Sequence, residues 1–289
     1  MTSSASPVLT LNNGVTMPQL GFGTWPLKDE EAQRAVTTAL ADGYRLIDTA
    51  AAYGNEDAVG RGIRDSGLDR QEVFVTTKLQ GAHHGYDNAL RAVDTSLAAL
   101  GVDYVDLFLI HWPVPARDLC VPTWQAFAKM LADGRARAIG VSNFKPAHLD
   151  RIIDETGTVP AVNQIQLSPL TAQTELRDHH RRLGIVTQSW SPLGKGTDLL
   201  DHPVITGLSS KYARTPGQIV LRWHMDLGLS AVPKSGDPER IRRNIDVFDF
   251  ALTPAEVDSI TALDTGVHQP ADSDVIQPGL NGPGTPPPA

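Results

Sequence analysis

Apolar residues recur along this chain in two alternating rhythms. Short apolar runs at residues 19–23, 45–48, 73–77, 104–110, 138–141, 161–164, 185–188 and 229–232 are too brief for helices and are bounded by polar residues or glycine. They predict eight buried β-strands. Between them, residues 30–42, 86–100, 123–133, 147–154, 173–183 and 215–227 carry apolar positions at helical spacing, and a further helix is expected at 238–248. Gly43, Gly101, Gly134, Gly184 and Gly228 each follow such a stretch, as C-terminal caps do. Strand and helix in alternation predict parallel strands joined by crossover helices. Eight such units without a linker predict one closed (β/α)8 TIM barrel occupying residues 1–279, with a doubly wound open sheet as the alternative. Residues 8–16 centre on Asn12-Asn13-Gly14 and predict an N-terminal β-hairpin able to floor the barrel. From Val267 onward, Pro270, Pro278, Pro283 and Pro286 to Pro288 predict irregular chain, with a flexible tail over 280–289.

Composition narrows the function classes. Of 289 residues, 41% are hydrophobic and 20% charged, enough apolar material for a sizeable core. The net charge of -8 repels phosphate backbones, which argues against nucleic acid as a partner yet allows one local basic pocket. No apolar stretch is long enough to span a bilayer and residues 1–7 lack a signal-type apolar core, so a cytoplasmic protein is expected. The single cysteine, Cys120, excludes an internal disulfide and a multi-cysteine zinc site; its apolar neighbours predict a structural thiol. The adjacent pairs His83-His84 and His179-His180 point their rings in different directions and lack companion ligands, so no metal site is expected.

In α/β barrels the reactive groups cluster at the C-terminal ends of the strands. Here those ends offer Asp48 and Tyr53 after one strand, Lys78 after the next and His111 after a third. Each has an ordinary structural reading: helix cap, packing residue, rim lysine, core histidine. Converging on one rim, they make a proton donor. An ammonium beside a phenol favours phenolate, so Lys78 is expected to lower the Tyr53 pKa, Asp48 to hold Lys78 charged, and His111 to hydrogen-bond a substrate oxygen.

The strings GFGTW (21–25), GYRLIDTAAAYGNE (43–56), TKL (77–79), LIHWP (109–113), GVSNF (140–144), VNQIQLSP (162–169), QSWSPLG (188–194) and VPKS (232–235), with Arg240 and Asn244, resemble the aldo-keto reductases over residues 9–264. Within that family the chain looks most like the bacterial group related to 2,5-diketo-D-gluconic acid reductases. The resemblance implies a (β/α)8 barrel, NADPH extended across the C-terminal rim, and a catalytic tetrad of Asp48, Tyr53, Lys78 and His111. It implies reduction of aldehydes, α-dicarbonyls or keto sugars to alcohols, without metal, Tyr53 protonating the oxygen. It further assigns Trp190, in the string Trp190-Ser191-Pro192, as the platform for the nicotinamide, and Ser142, Asn143 and Gln164 as partners of its carboxamide; the glycine-rich backbone from Leu193 to Gly196 is expected near the pyrophosphate. Lys234, Ser235, Arg240 and Asn244 are implied to grip the 2′-phosphate and adenine, and Trp25 and Trp112 to flank the substrate with His111. Arg243 departs from the family pattern and Asp237 adds a carboxylate near the phosphate grip, both bearing on NADPH against NADH. Gln80 stands where many relatives carry an aromatic, which predicts a roomier, more polar pocket. A small-molecule carbonyl substrate, a monomer and no membrane partner are expected. Two other readings stay open: a barrel hydrolase or lyase using Asp48 and His111, and a regulatory subunit that senses NADPH.

Overall fold

The computed structural model describes residues 6–276 and 278. It opens on an antiparallel hairpin, β1 (Val8–Thr10) with β2 (Thr16–Pro18), which pairs Leu9 with Met17. Eight parallel strands follow in sequence order: β3 (Phe22–Gly23), β4 (Leu46–Asp48), β5 (Phe74–Leu79), β6 (Val105–Ile110), β7 (Ala136–Ser142), β8 (Val162–Gln166), β9 (Val186–Trp190) and β10 (Ser230–Ala231). The first and last meet. Leu20 bridges Ala231 in parallel, the Gly21 N–H donates to the Ala231 carbonyl at 2.9 Å, and the Ala231 N–H donates to the Gln19 carbonyl at 3.1 Å. That closure makes a barrel and removes the open-sheet alternative.

Among the described residues the helices are α1 (Asp29–Ala41), α2 (Glu56–Asp65), α3 (Tyr86–Leu100), α4 (Cys120–Ala132), α5 (Pro146–Thr156), α6 (Thr174–Leu183), α7 (Pro203–Tyr212), α8 (Pro216–Asp226), α9 (Pro238–Ile245) and α10 (Pro254–Thr261). The expected helices all form, within a few residues of their predicted ends, and α2, α7 and α10 are additional. Every position of β5 and β6 is buried, because one face of each strand fills the barrel and the other packs on helices. Outside the barrel, Ile47, Val75, Phe108 and Ile139 meet Val36, Val93, Phe127 and Leu149 of the helical layer in one continuous core. Burying each such side chain contributes roughly 1.5–3 kcal/mol.

The hairpin is the floor. Asn12 and Asn13 donate side-chain hydrogen bonds to the carbonyls of Pro160 (3.0 Å) and Arg137 (2.9 Å), beside the starts of β8 and β7. Leu11 and Met17 then seal the barrel bottom against Leu46, Phe74, Leu107, Ala138 and Val162. With that end closed, the polar ends of β4 to β6 face the opposite rim. The flexible tail expected at 280–289 lies outside the described residues.

Candidate active site

The site grows from three consecutive strand ends. Asp48 closes β4, Lys78 lies near the end of β5, and His111 follows β6 directly. Tyr53 sits on a single 3-10 turn, Ala51–Tyr53, reached through Thr49 and Ala50. That turn is pinned from below: the Thr49 hydroxyl donates to Asn55 Oδ1 at 2.7 Å, and Asn55 Nδ2 donates to the Leu27 carbonyl at 2.9 Å. The Lys28 ammonium donates to the Tyr53 carbonyl from outside. Thr49 and Asn55 were not singled out from the sequence, although they stand inside the GYRLIDTAAAYGNE string; Lys28 carries no sequence signal.

Lys78 has no exposed surface. Its Nζ donates to Asp48 Oδ1 at 2.6 Å, to the Thr49 carbonyl at 2.8 Å and toward the Tyr53 hydroxyl at 3.5 Å. Burial opposes the ammonium, yet the Asp48 carboxylate and the Tyr53 oxygen together hold its pKa above the ordinary lysine value. Tyr53 behaves otherwise than expected. Burial of the phenol, helped by the Asp48 charge, outweighs the lowering influence of Lys78 and raises the Tyr53 pKa above 10.0. The free site therefore keeps the phenol protonated. His111 stacks edge-on to Tyr53, with ring centroids 5.7 Å apart, and burial with the Lys78 charge drives its pKa well below 6.5. It is a neutral imidazole, able to donate one N–H.

The residues assigned to the nicotinamide adjoin this cluster. Gln164, 2% exposed, donates Nε2–H to Asp48 Oδ2 at 2.8 Å and to Gln188 Oε1 at 2.7 Å, so both its amide hydrogens are taken. Ser142 donates to the Gln164 carbonyl at 2.8 Å. Asn143, at a left-handed φ of 62°, donates Nδ2–H to the His111 carbonyl at 3.0 Å and accepts from Trp190 Nε1 at 2.9 Å. Its amide thus ties His111 to the indole expected to form the platform.

Ser191 is also left-handed, at φ 50°, and Leu193 packs close to Gly217 at the start of α8. Lys234 and Arg240 are exposed and form no ion pair among the described residues, whereas Ser235 and Asn244 are buried beside them. Asp237 is occupied as the N-cap of α9, accepting the Arg240 N–H at 2.8 Å, and Arg243 turns to Glu239 at 3.0 Å. Trp25 is part-exposed with the Lys195 ammonium 4.3 Å over its ring, and Trp112 is buried. Two cavities of about 230 and 310 Å³ open beside Ser191 and Asn143, and Gln269 of the C-terminal segment lines both.

Cys120 is a structural thiol: it donates to the Pro113 carbonyl at 2.7 Å, and burial pushes its pKa up to about 12. In each histidine pair one ring is buried and its neighbour is not. His180 bonds Asn163 and Thr187 inside while His179 meets Asp150 outside. Among the described residues no group of three His, Cys, Asp or Glu is arranged to hold a metal, and no helix is long and apolar enough to cross a membrane.

Residues 19–265 match the Aldo/keto reductase family model. The chain belongs to the aldo/keto reductase family. This reductase is 53% identical to an aldo-keto reductase of Mycobacterium sp. (strain KMS) over 261 residues, which span 90% of this chain and 94% of the relative. It is 50% identical over 275 residues to morphine 6-dehydrogenase of Pseudomonas putida, covering 91% and 93% of the two chains. A solved structure of a Gox0644 variant in complex with NADPH superposes with a TM-score of 0.90 at 42% identity, covering 94% of this chain and 99% of the other. The reductase is accordingly an oxidoreductase of the NAD(P)H-dependent aldo-keto class.

Proposed function

We propose that this reductase uses NADPH to reduce aldehydes, α-dicarbonyls or keto sugars to alcohols, with Tyr53 as the general acid. The observation that carries the proposal is the buried Lys78–Asp48 pair at 2.6 Å with the Tyr53 hydroxyl 3.5 Å from the ammonium.

The rim suits the cofactor. Lys234 and Arg240 are two exposed cations without ion-pair partners among the described residues, a suitable grip for a 2′-phosphate. Trp190 is part-exposed and available to stack on the nicotinamide, and Ser142, Asn143 and Gln164, linked to it by hydrogen bonds, are the proposed partners of the carboxamide. Because both Gln164 amide hydrogens are taken, its free function is the Oε1 acceptor, which matches an amide N–H. When bound, NADPH supplies the hydride. Ser191 and Leu193 would lie along the pyrophosphate, and Ser235 and Asn244 beside the adenosine.

The chain's own residues do the rest. Neutral His111 donates its N–H to the carbonyl oxygen and fixes where that oxygen sits. Tyr53, kept protonated by burial, passes its proton to the oxygen as negative charge develops there. The phenolate left behind is stabilised by the Lys78 ammonium, which Asp48 and the Thr49 carbonyl hold in place. Trp25 and Trp112 flank the substrate, and Gln80 in place of an aromatic leaves room for a polar, freely diffusing carbonyl compound. We take the protein as a cytoplasmic monomer.

The test is NADPH consumption, followed by absorbance, over a panel of aldehydes, α-dicarbonyls and keto sugars. Turnover ranks the substrates. Tight NADPH binding with no turnover on any member would overturn the catalytic reading and point to a regulatory, cofactor-sensing protein.

A further inference from the structure

We infer that Gln188 is a positioning residue of the reductase: from the next strand but one beyond β7 it fixes the polarity and place of Gln164 and, through it, of the Asp48 carboxylate. The inference rests on the proposed function above.

The barrel interior contains a line of polar groups that crosses from one wall to the other. Ser230 on β10, Gln188 on β9 and Gln164 on β8 stand side by side in the strand register. Gln188 and Ser230 have no exposed surface. Gln188 Nε2 donates to Ser230 Oγ at 3.0 Å, and its Oε1 accepts from Gln164 Nε2 at 2.7 Å. Gln164 Nε2 spans the lumen to Asp48 Oδ2 on β4 at 2.8 Å. The other oxygen of Asp48 holds Lys78.

Chemistry dictates the direction of every bond in this line. An ionised carboxylate only accepts, so Gln164 must turn its NH₂ toward Asp48. That NH₂ has a second hydrogen, and a neighbour presenting its own NH₂ would repel it. Gln188 must therefore present its carbonyl to Gln164, which sends its amide to Ser230. Gln188 thus reinforces the orientation that Asp48 demands by holding the second amide hydrogen in place, which leaves Gln164 Oε1 as an open acceptor. Two functions depend on that one orientation: the second anchor of Asp48, and the acceptor offered to the cofactor amide. An unsatisfied N–H in a dry lumen is costly, so loss of the Gln188 carbonyl favours rotation of the Gln164 amide away from this arrangement.

Two variants and two readouts test the inference. Gln188→Leu keeps the volume and removes both hydrogen bonds; Gln188→Glu, neutral when buried, keeps an acceptor for Gln164 and an O–H donor for Ser230. NADPH affinity, from quenching of tryptophan fluorescence, and kcat for a carbonyl substrate are compared with the wild type, along with the melting temperature. Gln188→Leu is expected to weaken NADPH binding and lower kcat by about tenfold each, the equivalent of one buried hydrogen bond in each function. Gln188→Glu is expected to recover both near pH 6. A Gln188→Leu protein that loses melting temperature while keeping wild-type affinity and kcat would overturn the positioning role, as would a Gln188→Glu protein no better than Gln188→Leu. If the wild type itself neither binds nor oxidises NADPH, the functional reading fails first and this inference with it.

Discussion

Replacing Asp48 by asparagine isolates the buried charge pair. The wild-type carboxylate and Lys78 stand 2.6 Å apart with 4% and 0% of their side chains exposed. Removing the negative partner strands the ammonium with the Thr49 carbonyl and the Tyr53 hydroxyl alone. Stranding one charge of a buried pair costs about 3–5 kcal/mol. For a chain of this size that lowers the melting temperature by roughly 6–10 °C at pH 7. The pH dependence has a definite sign. In the wild type the folded pKa of Lys78 lies above its ordinary 10.5, so the pair's stability is fully present below that value and is lost only as pH rises through the folded pKa. In Asp48→Asn, burial of the ammonium is no longer offset and the folded pKa falls below 10.5. The unfolded chain then binds the extra proton, and the variant gains stability as pH rises toward 10.5. Thermal unfolding followed by circular dichroism from pH 7 to 9.5 should show the gap to wild type closing. A gap under about 2 °C at pH 7, or one that does not narrow with pH, would refute the description of Lys78 as a charge held by Asp48.

Other consequences are separable. Lys234→Ala should weaken NADPH about 10- to 100-fold, as expected for one charge-assisted hydrogen bond, and leave NADH affinity unchanged; equal losses for both cofactors, by fluorescence titration, would remove Lys234 from the 2′-phosphate grip. His84 is fully buried with no hydrogen-bond partner on either ring nitrogen among the described residues, and burial lowers its pKa from 6.5 to about 4. Its folded pKa is depressed, so it withdraws stability as pH falls below 6.5, on the order of 2 kcal/mol at pH 5. His84→Leu should therefore narrow the difference in melting temperature between pH 7.5 and pH 5; an unchanged difference would mean that this ring does not govern the acid limb.

Legibility from sequence followed burial. The eight strands announced themselves because parallel strands buried on both faces read as short unbroken apolar runs, and Gly101 and Gly184 marked helix ends through the left-handed backbone found there. Helix α2 was hidden because Gly60 and Gly62 interrupt it. Both are demanded by tertiary approach: a Cβ at Gly60 would overlap the Leu100 carbonyl, and one at Gly62 would lie 2.7 Å from the Gln33 carbonyl. Helices α7 and α10 begin at Pro203 and Pro254, positions that interrupt a pattern as readily as they start a helix. At the site, residue types at the strand ends pointed to Asp48, Tyr53, Lys78 and His111, which the fold brings together. Sequence did not give the net Tyr53 pKa, since the Lys78 charge can be anticipated from spacing but the depth of burial that outweighs it cannot. Nor did it give the Gln188 to Asp48 line, because β9 and β4 face each other only after the barrel closes.

The central claim is that Tyr53 delivers the proton. Its most direct test compares wild type and Tyr53→Phe for NADPH consumption with the best carbonyl substrate, alongside NADPH affinity for each protein. The account predicts turnover by the wild type, none measurable by Tyr53→Phe, and nearly equal NADPH affinity. Substantial residual turnover by Tyr53→Phe would contradict it, and the acid would have to be sought elsewhere, beginning with His111.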